Sequence, residues 1–133
     1  MRIVSRCLLA VSALLLAGGG LAHALAYARA SAVAEQSTMP KFFAAAFRGL
    51  WLSDALSSMV LALIFGLIAL RPAMATRPLI MLMAASPIAV AVAIFCTMGN
   101  FYAGYLLLLS GTAALLGAVL AGTDGEHQCN VLP

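Results

Sequence analysis

The sequence predicts an all-α fold: an integral membrane protein whose four transmembrane helices form an antiparallel bundle. Three observations lead there. Of the 133 residues, 65% are hydrophobic and only 8% charged, where a soluble domain carries about 25% charged residues, so a water-facing surface cannot be built. Four apolar stretches each approach the ~20 residues needed to cross a ~30 Å hydrocarbon core. The breaks between most of them are short, which folds consecutive helices back on one another. The stretches must be helical, because isolated strands would leave backbone groups unpaired in lipid.

The first span is read as residues 7–27, "CLLAVSALLLAGGGLAHALAY". Its basic start, apolar core and the small-residue patterns "AHA", "AYA" and "ARA" between residues 22 and 30 also fit a secretory signal peptide. Retention is the favoured reading, since the apolar stretch continues to Tyr27 and its loss would leave the other spans a partner short. The second span, residues 50–70, is entered through "FRGLW". Residues 28–49 are read as the one long outer loop. Within it Ser37 or Thr38 is placed to cap a helix that Pro40 starts. Phe43, Phe47, Leu50 and Trp51 then share a face at i, i+4, i+7 and i+8, as in an interfacial helix leading into the second span; the competing reading is a plain extension of that span.

The third span, residues 79–97, follows "RPAMATRP", whose two Arg-Pro steps disfavour helix before each proline. Pro87 inside it is expected to kink or loosen a turn. Only "MGN" separates it from the fourth span, residues 101–121. Residues 122–133 read as a polar cytoplasmic tail. Its Asp124, Glu126, His127 and Cys129 are metal-ligand types, but their spacing matches no strong pattern and a solvated tail is the better reading. Cys7, Cys96 and Cys129 form no close pair and are read as packing residues rather than redox groups.

Basic residues set orientation. With the N-terminus inside, Arg2, Arg6, Arg71 and Arg77 are cytoplasmic, and Arg29, Lys41 and Arg48 lie outside. Both termini are thus expected in the cytoplasm of a bacterial inner membrane. The net charge of +3 comes from scattered single residues at span ends, so nucleic acid is not an expected partner. The bilayer is, together with another membrane protein or a second copy of this chain. Small residues mark candidate helix contacts: Gly18, Ala22 and Ala26 in the first span, and Ser110, Ala114, Ala118 and Gly122, or Ala113, Gly117 and Ala121, in the fourth.

Ionisable groups inside a span call for an account. His23 and Asp54 each lie four residues from the outer end of their span, ~6 Å deep at ~1.5 Å per residue, and so fall level if the first two helices are neighbours. Ser57 and Ser58 follow Asp54 by about one turn, Asn100, Tyr102 and Tyr105 open the fourth span at the same side, and Arg48 is within reach of the carboxylate or of phosphates. The candidate polar cluster is therefore His23, Arg48, Asp54, Ser58, Asn100 and Tyr105. The preferred reading is a clamp that sets helix register. A ligand, lipid-headgroup or partner site comes next, then a proton-coupled transport site, and last a catalytic or metal site; no cofactor is expected.

The span count and the "FRGLW" entry resemble the small four-helix inner-membrane proteins common in bacteria, a resemblance that carries over no functional residues. Small multidrug exporters of this length use a glutamate in the first span, which has none here. Thiol-oxidising four-helix proteins need cysteine pairs, diheme cytochromes need several histidines, and membrane glutathione-transferase relatives need a charged arginine, asparagine and glutamate set. An accessory, structural or regulatory role without enzymatic activity is the leading expectation, and a small proton- or cation-responsive transporter using Asp54 is the alternative.

Overall fold

A computed structural model describes residues 3–122; the tail residues named above lie outside them. The described residues form four α-helices, α1 (Ile3–Gln36), α2 (Lys41–Leu70), α3 (Arg77–Met98) and α4 (Tyr102–Gly122), with a short 3-10 turn, Pro72–Met74, between α2 and α3. All four helices are long and apolar enough to span a membrane.

The largest departure from expectation lies between the first two helices. Residues 28–49 are not a loop. α1 runs on for 34 residues in all, about 51 Å at ~1.5 Å per residue, because "ALAYARASAVAEQ" is rich in alanine and holds no glycine or proline. α2 starts directly after Pro40 and continues through the "FRGLW" entry, so the interfacial piece is the first part of α2 itself. Only residues 37–40 connect them. Ser37 does not cap α2: its Oγ donates to the Ala34 carbonyl at 2.7 Å and accepts from the Met39 amide at 3.3 Å, closing off α1 instead. No side chain caps α2, whose first turn is fixed by Pro40 at φ −54°.

The other breaks follow their chemistry. Pro72 ends α2 after Leu70, and Pro78 sits in the first turn of α3, where its missing N–H costs nothing. α3 remains helical through a buried Pro87. Gly99 ends it at φ +70° and ψ −144°, a conformation that only glycine adopts readily.

Contacts fix the helix order. α1 packs on both α2 and α4, and α3 packs on α4, whereas α2 and α3 hardly approach one another. The spatial order is α2–α1–α4–α3. Residue numbers rise along α1 as they fall along its neighbours. Arg6 Nε donates to the Ala69 carbonyl at 2.8 Å, meeting a carbonyl left free at the end of α2, and further along His23 meets Asp54. On the α4 side, Ser5 Oγ donates to the Gly117 carbonyl at 2.5 Å, and the Ser12 and Ser110 hydroxyls lie 3.0 Å apart. These three serines are fully buried, and each hydroxyl is satisfied across the α1–α4 contact.

The core gathers Leu9 and Leu16 of α1, Phe65, Ile68 and Ala69 of α2, Ile80 and Ala84 of α3, and Ala114 and Ala118 of α4. The Ser110–Ala114–Ala118 stripe does face inward. Gly18 of the stripe expected in the first span does not; a side chain there would meet open space. The tightest glycine contact is Gly111, where an added Cβ would stand 2.5 Å from Ile88 Cγ1 and 3.0 Å from the Ala84 carbonyl oxygen. Away from the core, large apolar side chains such as Leu14, Leu25, Leu63 and Leu82 are exposed. Cys7 and Cys96, expected to pack, are also exposed and free.

Candidate functional site

On α2, Trp51, Asp54 and Ser58 stand at i, i+3 and i+7 and therefore share one face. α1 presents His23 opposite them. The indole of Trp51 stacks on the imidazole, with centroids 4.1 Å apart and planes 13° from parallel. The same indole donates its Nε1–H to the His23 carbonyl at 2.8 Å. Two contacts from one side chain thus set both the backbone register and the ring orientation of His23. Imidazole Nε2 then lies 3.6 Å from Asp54 Oδ2. That separation is too long for a hydrogen bond but short enough for Coulomb attraction when the ring carries a proton. Both side chains keep partial access, 29% for His23 and 47% for Asp54.

The pair borders two hollows. A small one of about 110 Å³ lies between α1, α2 and α4, bounded by Gly18, Gly19, Ser58 and Leu106 as well as the pair. A larger one of about 440 Å³ opens where α2 and α3 stand apart; Phe47, Leu50 and Trp51 line one wall, and Val90, Ile94 and Met98 the other. His23, Asp54 and Tyr102 line both, so the polar groups stand where the two hollows meet. The separation of α2 and α3 is what makes the larger one: near the connection between them, Phe65 and Ile68 share the core with Ile80.

The remaining predicted site residues divide. Ser58 is at the site, lining the small hollow. Arg48 is not: its guanidinium pairs with Glu35 of α1, a partner hidden as long as residues 28–49 are read as a loop. Asn100 and Tyr105 pair with each other, Tyr105 Oη to Asn100 Oδ1 at 3.2 Å, while the Tyr105 ring packs edge-on against Phe95. They lie outside the two hollows. Sequence reasoning placed Tyr102 on the same side but left it out of the cluster, and it read Trp51 only as an interfacial aromatic. The i, i+3, i+7 spacing of Trp51, Asp54 and Ser58 was the available signal. Among the described residues, no three metal-ligating side chains come together.

These features define a class no narrower than an all-helical chain with four helices able to span a membrane. Comparison with protein-family models, curated proteins and solved structures finds no match.

Proposed function

We propose that the chain is an accessory protein of the bacterial inner membrane, an antiparallel four-helix bundle with both termini in the cytoplasm. It acts through contacts in the plane of the membrane, with lipid or another membrane protein. The observation that carries this reading is the α2–α1–α4–α3 order, which leaves the sides of α2 and α3 unpacked against each other. An apolar cleft lined by Leu50, Val90 and Ile94 is suited to an acyl chain or a neighbouring helix, since packing between helices in lipid relies on close van der Waals fit. A photo-crosslinking residue at Ile94, activated in native membranes, tests it. Discrete protein adducts, or adducts confined to one lipid class, that are absent when the group is moved to Leu82, which faces bulk lipid, support the reading. Equal labelling at both positions, or recovery of the protein in the soluble fraction, overturns it.

A second reading is favoured by the His23–Asp54 pair at the junction of the two hollows: a small cation-responsive transporter or transport subunit in which Asp54 carries the response. A carboxylate at membrane depth is a costly group, and its partial exposure leaves it open to an exchanging cation. A bundle this small would enclose a path by assembling in more than one copy.

A further inference from the structure

We infer that the double hollow is a binding site for a monovalent organic cation, an ammonium group attached to an apolar body; the inference rests on the second reading above and gives it a ligand class. The electrostatics come first. Among the described residues lining the two hollows, Asp54 and His23 are the ionisable ones apart from the phenol of Tyr102. Arg48, the nearest basic residue on α2, is turned to Glu35. Arg29 borders an adjoining groove with Val33 and Met39, which shares Phe47 and Trp51 with the larger hollow but does not reach Asp54. With His23 neutral, the site therefore holds one negative charge that no fixed cation offsets.

The walls select the rest of the ligand. The rings of Trp51, Phe101 and Tyr102 border the larger hollow beside Asp54, and aromatic faces attract an alkylated ammonium while adding no hydrogen-bond demand. Beyond them the lining is aliphatic, with Leu50, Val90, Ile94 and Met98. At about 440 Å³ the hollow falls in the ~300–1,000 Å³ range of small-molecule sites. A small inorganic cation would find one carboxylate and too few further oxygen ligands for the usual six to eight or octahedral six. An anion would face Asp54. The ammonium is thus placed between Asp54 and the rings, with its apolar body toward α3. A proton on His23 supplies the competing positive charge, facing Asp54 from α1; α3 brings no ionisable group to the hollow and α4 only Tyr102.

The chain's single tryptophan is Trp51, so its emission reports directly from the site. The full-length protein in mild detergent is titrated with benzyltrimethylammonium and, separately, with the anion benzylsulfonate. A saturable change with the cation alone supports the inference. Asp54→Asn should weaken it roughly tenfold, as expected for a half-exposed charge contact, with Asp54→Glu restoring part of it. Saturable binding of the anion, a linear non-saturable change with both compounds, or Asp54→Asn binding like the parent overturns it. The comparison of cation with anion needs no variant, so the test survives a variant that fails to fold. Uptake of the probe into proteoliposomes separates the two claims: saturable Asp54-dependent binding without uptake supports the site and overturns the transport reading.

Discussion

Single residues decide how closely these helices approach. Gly111 faces the α3 backbone so tightly that a Cβ would overlap Ile88, whereas Gly18 faces nothing. Glycine in a helix interior costs about 0.5–1 kcal/mol relative to alanine, so Gly111 is tolerated for the contact it permits. Gly111→Val should destabilise the protein by about 1–3 kcal/mol, as overpacking does. Gly18→Ala should stabilise it slightly or leave it unchanged. Thermal unfolding in detergent, followed by loss of helical signal, checks both; equal effects at the two positions would show that the α3–α4 contact is looser than described. The same contrast explains why the small-residue stripes were only half legible. In an alanine-rich chain several stripes satisfy the spacing, and only the neighbour's side chains choose between them. Gly18–Ala22–Ala26 and Ser110–Ala114–Ala118 look alike in sequence, but only the second carries a serine that finds a hydroxyl opposite, Ser12.

At the scale of elements, three helix boundaries were readable because proline or glycine marks them: Pro72, Pro78 and Gly99 act where steric rules say they must. The boundary that was misread had no such mark. Hydropathy falls after Tyr27 while helix propensity does not, and "ARASAVAEQ" continues the helix through alanine rather than through apolar burial. Span length therefore underestimates helix length. The Arg48–Glu35 pair was invisible for the same reason, since it requires both segments to be helical and side by side. Being exposed, it contributes about 0–1 kcal/mol and follows from the hairpin rather than causing it. Hydrogen exchange tests the hairpin directly. Amides of residues 28–36 and 45–49 should be protected well above unstructured-chain rates, with fast exchange confined to residues 37–43, which include the uncapped first turn of α2. Uniformly fast exchange across 28–49 would restore the loop.

For the whole molecule, the two long helices set the geometry. At ~1.5 Å per residue α1 is about 51 Å long, while α3, with 22 residues, is about 33 Å, close to one hydrocarbon core. The turn at Gly99 is level with the His23–Trp51 stack, since Met98 and Phe101 line the same hollow as those two residues. The parts of α1 and α2 beyond that level, roughly residues 27–36 and 41–48, therefore project about 12–15 Å past the α3–α4 turn. In the proposed topology this hairpin rises from the outer face, carrying Arg29, Lys41 and the Arg48–Glu35 pair into the headgroup layer and beyond, which suits their charge. It also sets the His23–Asp54 pair near the boundary of the hydrocarbon, where partial solvent access lowers the cost of a carboxylate. Orientation rests on four arginines against three basic residues, a narrow margin, and the projecting hairpin makes it measurable. With Cys7 and Cys96, the exposed thiols, and Cys129 replaced by serine, Met39→Cys places a lone thiol at the exposed tip of the hairpin. A membrane-impermeant maleimide applied to osmotically opened cells with an intact inner membrane should label it fully. Labelling only after the inner membrane is disrupted would put the hairpin in the cytoplasm, reverse the topology, and turn the mouth of the proposed cation site toward the cell interior.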